Sequence, residues 1–131
     1  MTPMTDLTTH DLTTTVDAHL AGYTEPDRAQ RLELLGSAWA PDGRLIDPPF
    51  DGTGPEGIAD MVDVLLEHYP AHHFVRTTAI DSHHTFARYG WDLVDGDGTA
   101  AVSGYDFVEL DDDGRLLRIV GFFGEIPETS A

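Results

Sequence analysis

With 131 residues, the chain has room for one domain and a single core. Its 24 acidic and 7 basic residues give a formal net charge of −17, which repels phosphate backbones and anionic membranes and argues against both as partners. It has no cysteine, so disulfides and thiolate zinc sites are excluded.

Residues 1–9 are polar and Thr-rich, with neither a basic nor an apolar signal-peptide region. They read as a loose N-terminal tail before one domain over 10–125, with 126–131 as a C-terminal tail. No apolar run is long enough to span a bilayer, and a soluble cytoplasmic protein is expected.

Three helices are predicted first. Asp11 is placed to cap a segment whose apolar positions Leu12, Val16, Leu20 and Tyr23 follow a helical period, with His19 on the same stripe. Pro26-Asp27 interrupts it. Asp27 and Gln30 have capping-box spacing for a second helix buried along Leu32, Leu35 and Trp39. Pro41-Asp42-Gly43 reads as a turn, and Arg44–Asp47 as a short strand closed by Pro48.

The third helix carries the plainest pattern. Thr53 and Glu56 suggest its cap and Pro55 suits its first turn. Ile58, Met61, Val62, Leu65, Leu66 and Tyr69 then recur on one face until Pro70.

Strands are predicted over 73–81, 85–94, 100–110 and 115–123. Asp95-Gly96-Asp97-Gly98 and Asp111-Asp112-Asp113-Gly114 form the turns between the last three. Helices followed by an antiparallel meander predict an α+β domain, the helices covering one face of the sheet.

Asp47 and Asp106 stand among core-type residues, and an ionised carboxylate is costly to bury without a partner or a proton. Strand alternation turns Asp106 inward with Val102, Gly104, Val108 and Leu110, and turns Tyr105 and Phe107 outward. So apolar an outer face suggests a homodimer. Other readings stay open. Asp before Pro is a common strand-end residue, and Asp106 could pair with Arg88 on the neighbouring strand. Gly104 and Gly121 could leave room for a ligand or bend the sheet. His72-His73 and His83-His84 are adjacent pairs whose members face opposite sides of a strand, so no metal site is expected. No P-loop, dinucleotide fingerprint or nucleophile motif is present, and no cofactor is expected.

The order helix, helix, Arg44-Leu45-Ile46-Asp47-Pro48, helix and four strands, ending in the segment from Tyr105 to Glu125, resembles the NTF2-like superfamily in its SnoaL-like and ketosteroid-isomerase-like branch. The resemblance implies a cone in which three N-terminal helices pack on a strongly curved, mostly antiparallel sheet. A small hydrophobic ligand would enter the pocket, and the outer sheet face would pair two copies.

It also implies roles. Asp47 falls where ketosteroid isomerases keep their base, and Asp106 where they keep a neutral aspartic acid that donates a hydrogen bond. The family's helix-one tyrosine is not matched; His19 takes its place, with Tyr23 one turn on. Tyr23, Trp39, Arg88, Gly104, Val108 and Phe123 are the expected ligand-binding residues. An Asp–Arg pair would also suit the limonene-epoxide-hydrolase branch, whose acid on the last strand is replaced here by Val120-Gly121-Phe122-Phe123. The expected activity is cofactor-free proton transfer on a carbonyl compound, isomerase-like or polyketide-cyclase-like. A non-catalytic ligand-binding or scaffold protein is the alternative.

Overall fold

The computed structural model describes residues 3–129, with side chains from residue 12 onward. Three helices come first in the chain's element order: α1 (Pro3–Gly22), α2 (Arg28–Ala38) and α3 (Gly54–His68). α1 therefore begins upstream of Asp11, whose side chain lies outside the described ones. Leu12, Val16, His19, Leu20 and Tyr23 are buried, as their spacing predicts. Asp27 caps α2, its carboxylate accepting from the Gln30 N–H at 3.0 Å. Thr53 is the N-cap of α3 but makes no side-chain cap bond.

Seven strands form one mixed sheet: β1 (Trp39–Asp47), β2 (Phe50–Thr53), β3 (His73–Arg76), β4 (Asp81–His83), β5 (Phe86–Val94), β6 (Ala100–Leu110) and β7 (Leu116–Phe123). Their order is β2-β1-β7-β6-β5-β3, with β4 also on β5. Only β1 and β7 run parallel; the other pairs are antiparallel.

Three features depart from the sequence reading. The predicted turn at Pro41-Asp42-Gly43 lies inside β1 as an irregularity between Trp39 and Arg44, with Gly43 packed against the Trp39 ring. Phe50–Thr53 is a strand, pairing back on β1 through the tight Pro48-Pro49 connection. The strand expected over 73–81 is split into β3 and β4. Between them the Thr78 hydroxyl accepts from the Gly90 N–H at 2.9 Å, replacing a main-chain ladder bond with a side-chain one.

The two Asp-rich turns form as predicted. Asp95 Oδ1 accepts from the N–H groups of Asp97 and Thr99, and Asp111 Oδ1 from those of Asp113 and Arg115. Gly98 (φ 82°) and Gly114 (φ 81°) supply the left-handed residue each turn needs.

The core lies between the helices and the inner sheet face, with α3 against β1 and β2, and α1 against β3. On that face Ala87, Tyr89, Trp91 and Leu93 of β5 alternate inward opposite Val108, Asp106, Gly104 and Val102 of β6. Among the described residues no helix is long and apolar enough to cross a membrane.

Candidate active site

Asp47 and Asp106 meet across β7. Asp47 ends β1 at the hairpin into β2, next to β7 in the sheet. Asp106 lies on the central strand β6, opposite Gly121 on one side and Tyr89 on the other. A Cβ on Gly121 would stand 2.6 Å from Asp47 Oδ1 and 3.2 Å from Asp106 Oδ1, so the two carboxyl groups share the space the missing side chain leaves. Both are buried, at 6% and 5% exposure.

Their three donors come from β5 and from the end of α1. The Tyr89 hydroxyl donates to Asp106 Oδ2 at 2.7 Å, and the Trp91 indole N–H to Asp106 Oδ1 at 3.0 Å. Tyr23, at the end of α1, donates to Asp47 Oδ2 at 3.2 Å. Asp47 Oδ1 has no hydrogen-bond partner among the described residues.

The charges follow from this arrangement. Burial pushes Asp106 up to about 7, against the opposing pull of the Tyr89 and Trp91 hydrogen bonds; the charge on Asp47 adds to the rise. Burial likewise lifts Asp47 to about 6, with the Tyr23 hydrogen bond acting against it. Near neutral pH the pair is therefore poised to hold or release a proton, titrating as a coupled unit. Tyr23 and Tyr89 are driven well above the ordinary tyrosine value, first by burial and then by the neighbouring carboxylates, so both remain donors.

His19 completes the polar group. Its Nδ1 accepts from the Trp39 indole N–H at 3.1 Å, and its ring stacks on Tyr23 with centroids 5.4 Å apart. Burial lowers it to about 3, so it is neutral. With Nδ1 an acceptor, its proton is on Nε2.

Two spaces adjoin these residues. A cavity of about 10 Å³, about the size of one water, lies among His19, Tyr23, Asp47, Phe74, Trp91 and Asp106. A larger one of about 250 Å³ lies beside it, lined mainly by apolar and aromatic side chains including Phe50, Tyr69, Phe74, Trp91 and Phe123. Asp47, Phe74 and Trp91 line both, so the free oxygen of Asp47 belongs to a carboxylate at their junction.

The expected site residues thus divide. His19, Tyr23, Asp47 and Asp106 come together, and Phe123 lines the apolar cavity. Four expectations are corrected. Arg88 stands outside, because Phe107 is its register partner and Tyr89 is that of Asp106. It pairs with Asp81 at 2.8 Å, so the Asp106–Arg88 pair does not form. Trp39 lies behind His19 and lines neither space. The room at Gly104 is filled by the Trp91 indole, whose Cζ2 would be 2.5 Å from an added Cβ. Val108 packs into the core. Sequence reasoning missed Tyr89 and Trp91. Their signal was present, since both alternate onto the face of Asp106 once Tyr89 is set opposite it.

Three helices on a mixed sheet, with an acidic pair at the inner end of an apolar cavity, define an NTF2-like domain. No family model and no curated protein matches the chain. Among solved structures it is similar to a protein of Agrobacterium tumefaciens named as an inferred isomerase of the SnoaL-like family. That match has 36% identity, covers 86% of this chain and 96% of the other, and reaches a TM-score of 0.78. An inferred SnoaL-like polyketide cyclase from Jannaschia sp. CCS1 matches at 19% identity over 85% of each chain, with a TM-score of 0.61. An NTF2-like protein of unknown function from Exiguobacterium sp. 255-15 matches at 13% identity over 86% of this chain and 100% of its own, with a TM-score of 0.63. The last two bear on the fold alone. The chain belongs to the SnoaL-like family of the NTF2-like superfamily.

Proposed function

We propose that this protein is a cofactor-independent proton-transfer enzyme, isomerase-like or polyketide-cyclase-like, acting on a small hydrophobic carbonyl compound in a conical pocket. The observation that carries this reading is the buried Asp47 oxygen without a partner among the described residues, on a carboxyl group that lines both an apolar cavity and a polar tip. A base must be near its substrate, ionised near working pH and not already committed to a donor.

In this reading Asp47 removes a proton beside the carbonyl. The enolate oxygen enters the polar tip, where the Nε2–H of His19 and the protonated form of Asp106 supply hydrogen bonds. Tyr89 and Trp91 hold the Asp106 carboxyl in place. Gly121 keeps the two acids close without a side chain between them.

The test follows deuterium uptake from solvent at the α-carbon of a panel of enolisable cyclic ketones by proton NMR. Asp47→Asn should slow uptake by about 10²–10⁴-fold while affinity for these neutral ketones changes little. Equal rates in both proteins would remove Asp47 as the base. Binding without uptake by either protein would favour the second reading, a ligand-binding protein, which the water-sized polar tip also suits. We further propose a homodimer through the outer sheet face, where Phe86, Phe107 and Phe122 are 49%, 43% and 56% exposed. Sedimentation should show a dimer that Phe122→Glu dissociates.

A further inference from the structure

Among the described residues the acid pair has no counter-ion. The sequence contains no lysine, and all seven arginines form ion pairs with other carboxylates. Arg31 is buried against Asp63, Arg76 binds Asp17 and Arg88 binds Asp81; the other four pair near the surface. Among the described residues, the one basic side chain on the apolar cavity is His68, an exposed residue at the end of α3 whose Nδ1 is 3.0 Å from the Val64 carbonyl. Around the acids themselves, the ionisable neighbours among the described residues are Tyr23, Tyr89 and His19, and none is cationic.

The cavity walls add a second preference. Five aromatic side chains (Phe50, Tyr69, Phe74, Trp91 and Phe123) surround the approach to Asp47. Aromatic faces attract cations, most strongly away from water. At long range the net charge of −17 draws in cations and repels carboxylates and phosphates.

We propose that the ligand of this pocket is a hydrophobic organic cation, an amine whose ammonium group meets the unpartnered Asp47 oxygen while its apolar body fills the aromatic cavity. The ligand then supplies the counter-ion that the described residues do not. This rests on the proposed reading of the pocket as a ligand site, and not on its catalysis.

The test uses three probes of one shape: 3-phenylpropylamine, 3-phenylpropan-1-ol and 3-phenylpropanoate. Each is titrated into wild-type protein at pH 8 by calorimetry, with fluorescence of the pocket-lining Trp91 as a second readout. The amine should bind at least about tenfold more tightly than the alcohol, a gap of about 1.4 kcal/mol, and the carboxylate should bind most weakly. Asp47→Asn should bring amine and alcohol within about threefold of each other. Equal or tighter binding of the alcohol or the carboxylate to wild-type protein overturns the proposal, as does millimolar amine that fails to bind. The wild-type comparison is decisive even if the variant does not fold. Deuterium uptake by neutral ketones without an amine preference would sink this inference and leave the proton-transfer reading standing. An amine preference without uptake would do the reverse.

Discussion

Arg31 and the Asp47–Asp106 pair are both buried and ionisable, and they are built in opposite ways. The Arg31 guanidinium, 1% exposed, donates to the carbonyls of Glu25 at 2.9 Å, Pro26 at 3.2 Å and Ala59 at 3.0 Å, and to Asp63 at 2.9 Å. It ties α2 to α3 and to the loop after α1, and its bonding is largely used up. Among the described residues the acid pair has three neutral donors, no cation and one oxygen without a partner. A satisfied buried charge holds structure together, whereas an unsatisfied one keeps a standing demand for a proton or a ligand.

Breaking the satisfied site should have the largest effect on stability. Arg31→Met should cost about 2–4 kcal/mol in urea unfolding, because it orphans three carbonyls of which one bond is fully buried. A loss under about 1 kcal/mol would show that water replaces the guanidinium readily.

At the acid pair the comparison should invert with pH. Asp106 binds its proton more tightly folded, at about 7 against an ordinary 3.8, so its contribution is complete below about 4 and is lost as pH rises through 7. His19 works the other way. Its folded value of about 3 against 6.5 means its contribution is present above 6.5 and is lost as pH falls toward 3. Asp106→Asn removes only the first effect. Relative to wild type it should gain about 2 kcal/mol between pH 5 and pH 8, seen in urea midpoints at the two values. A pH-independent difference would mean that Asp106 does not carry the proton.

Filling the shared space should cost less. Gly121→Ala places a methyl against both carboxyl groups in a β conformation that alanine tolerates, so about 1–2 kcal/mol of crowding is expected. Deuterium uptake should fall along with stability; unchanged uptake would separate the glycine from the site. Arg88→Ala should do least. Its pair with Asp81 is two-thirds exposed on both sides, so stability should move by no more than about 0.5 kcal/mol and ligand binding not at all.

Much of this was legible along the chain. The stripe from Ile58 to Tyr69 and the two Asp-rich turns predict α3 and two hairpins, because periodicity and turn chemistry are local. Asp47 and Asp106 stood out because a carboxylate among apolar residues contradicts its surroundings. Trp39 and Arg88 were misplaced for a different reason. Trp39 follows the apolar stripe of α2 but ends that helix, so its indole turns toward His19 instead of a ligand. Arg88 is one register step from Asp106, and one step on a strand exchanges the inside for the outside.

The sequence by itself determined the α+β order, the buried faces and the two acids. Tertiary structure decided which side chains answer those acids. Tyr23, Tyr89 and Trp91 arrive from α1 and β5, and Gly121 from β7, through pairings that no local pattern encodes. It also decided that every arginine is committed elsewhere. That is a property of side chains far apart in the chain and close in space, and it leaves the acid pair without an arginine.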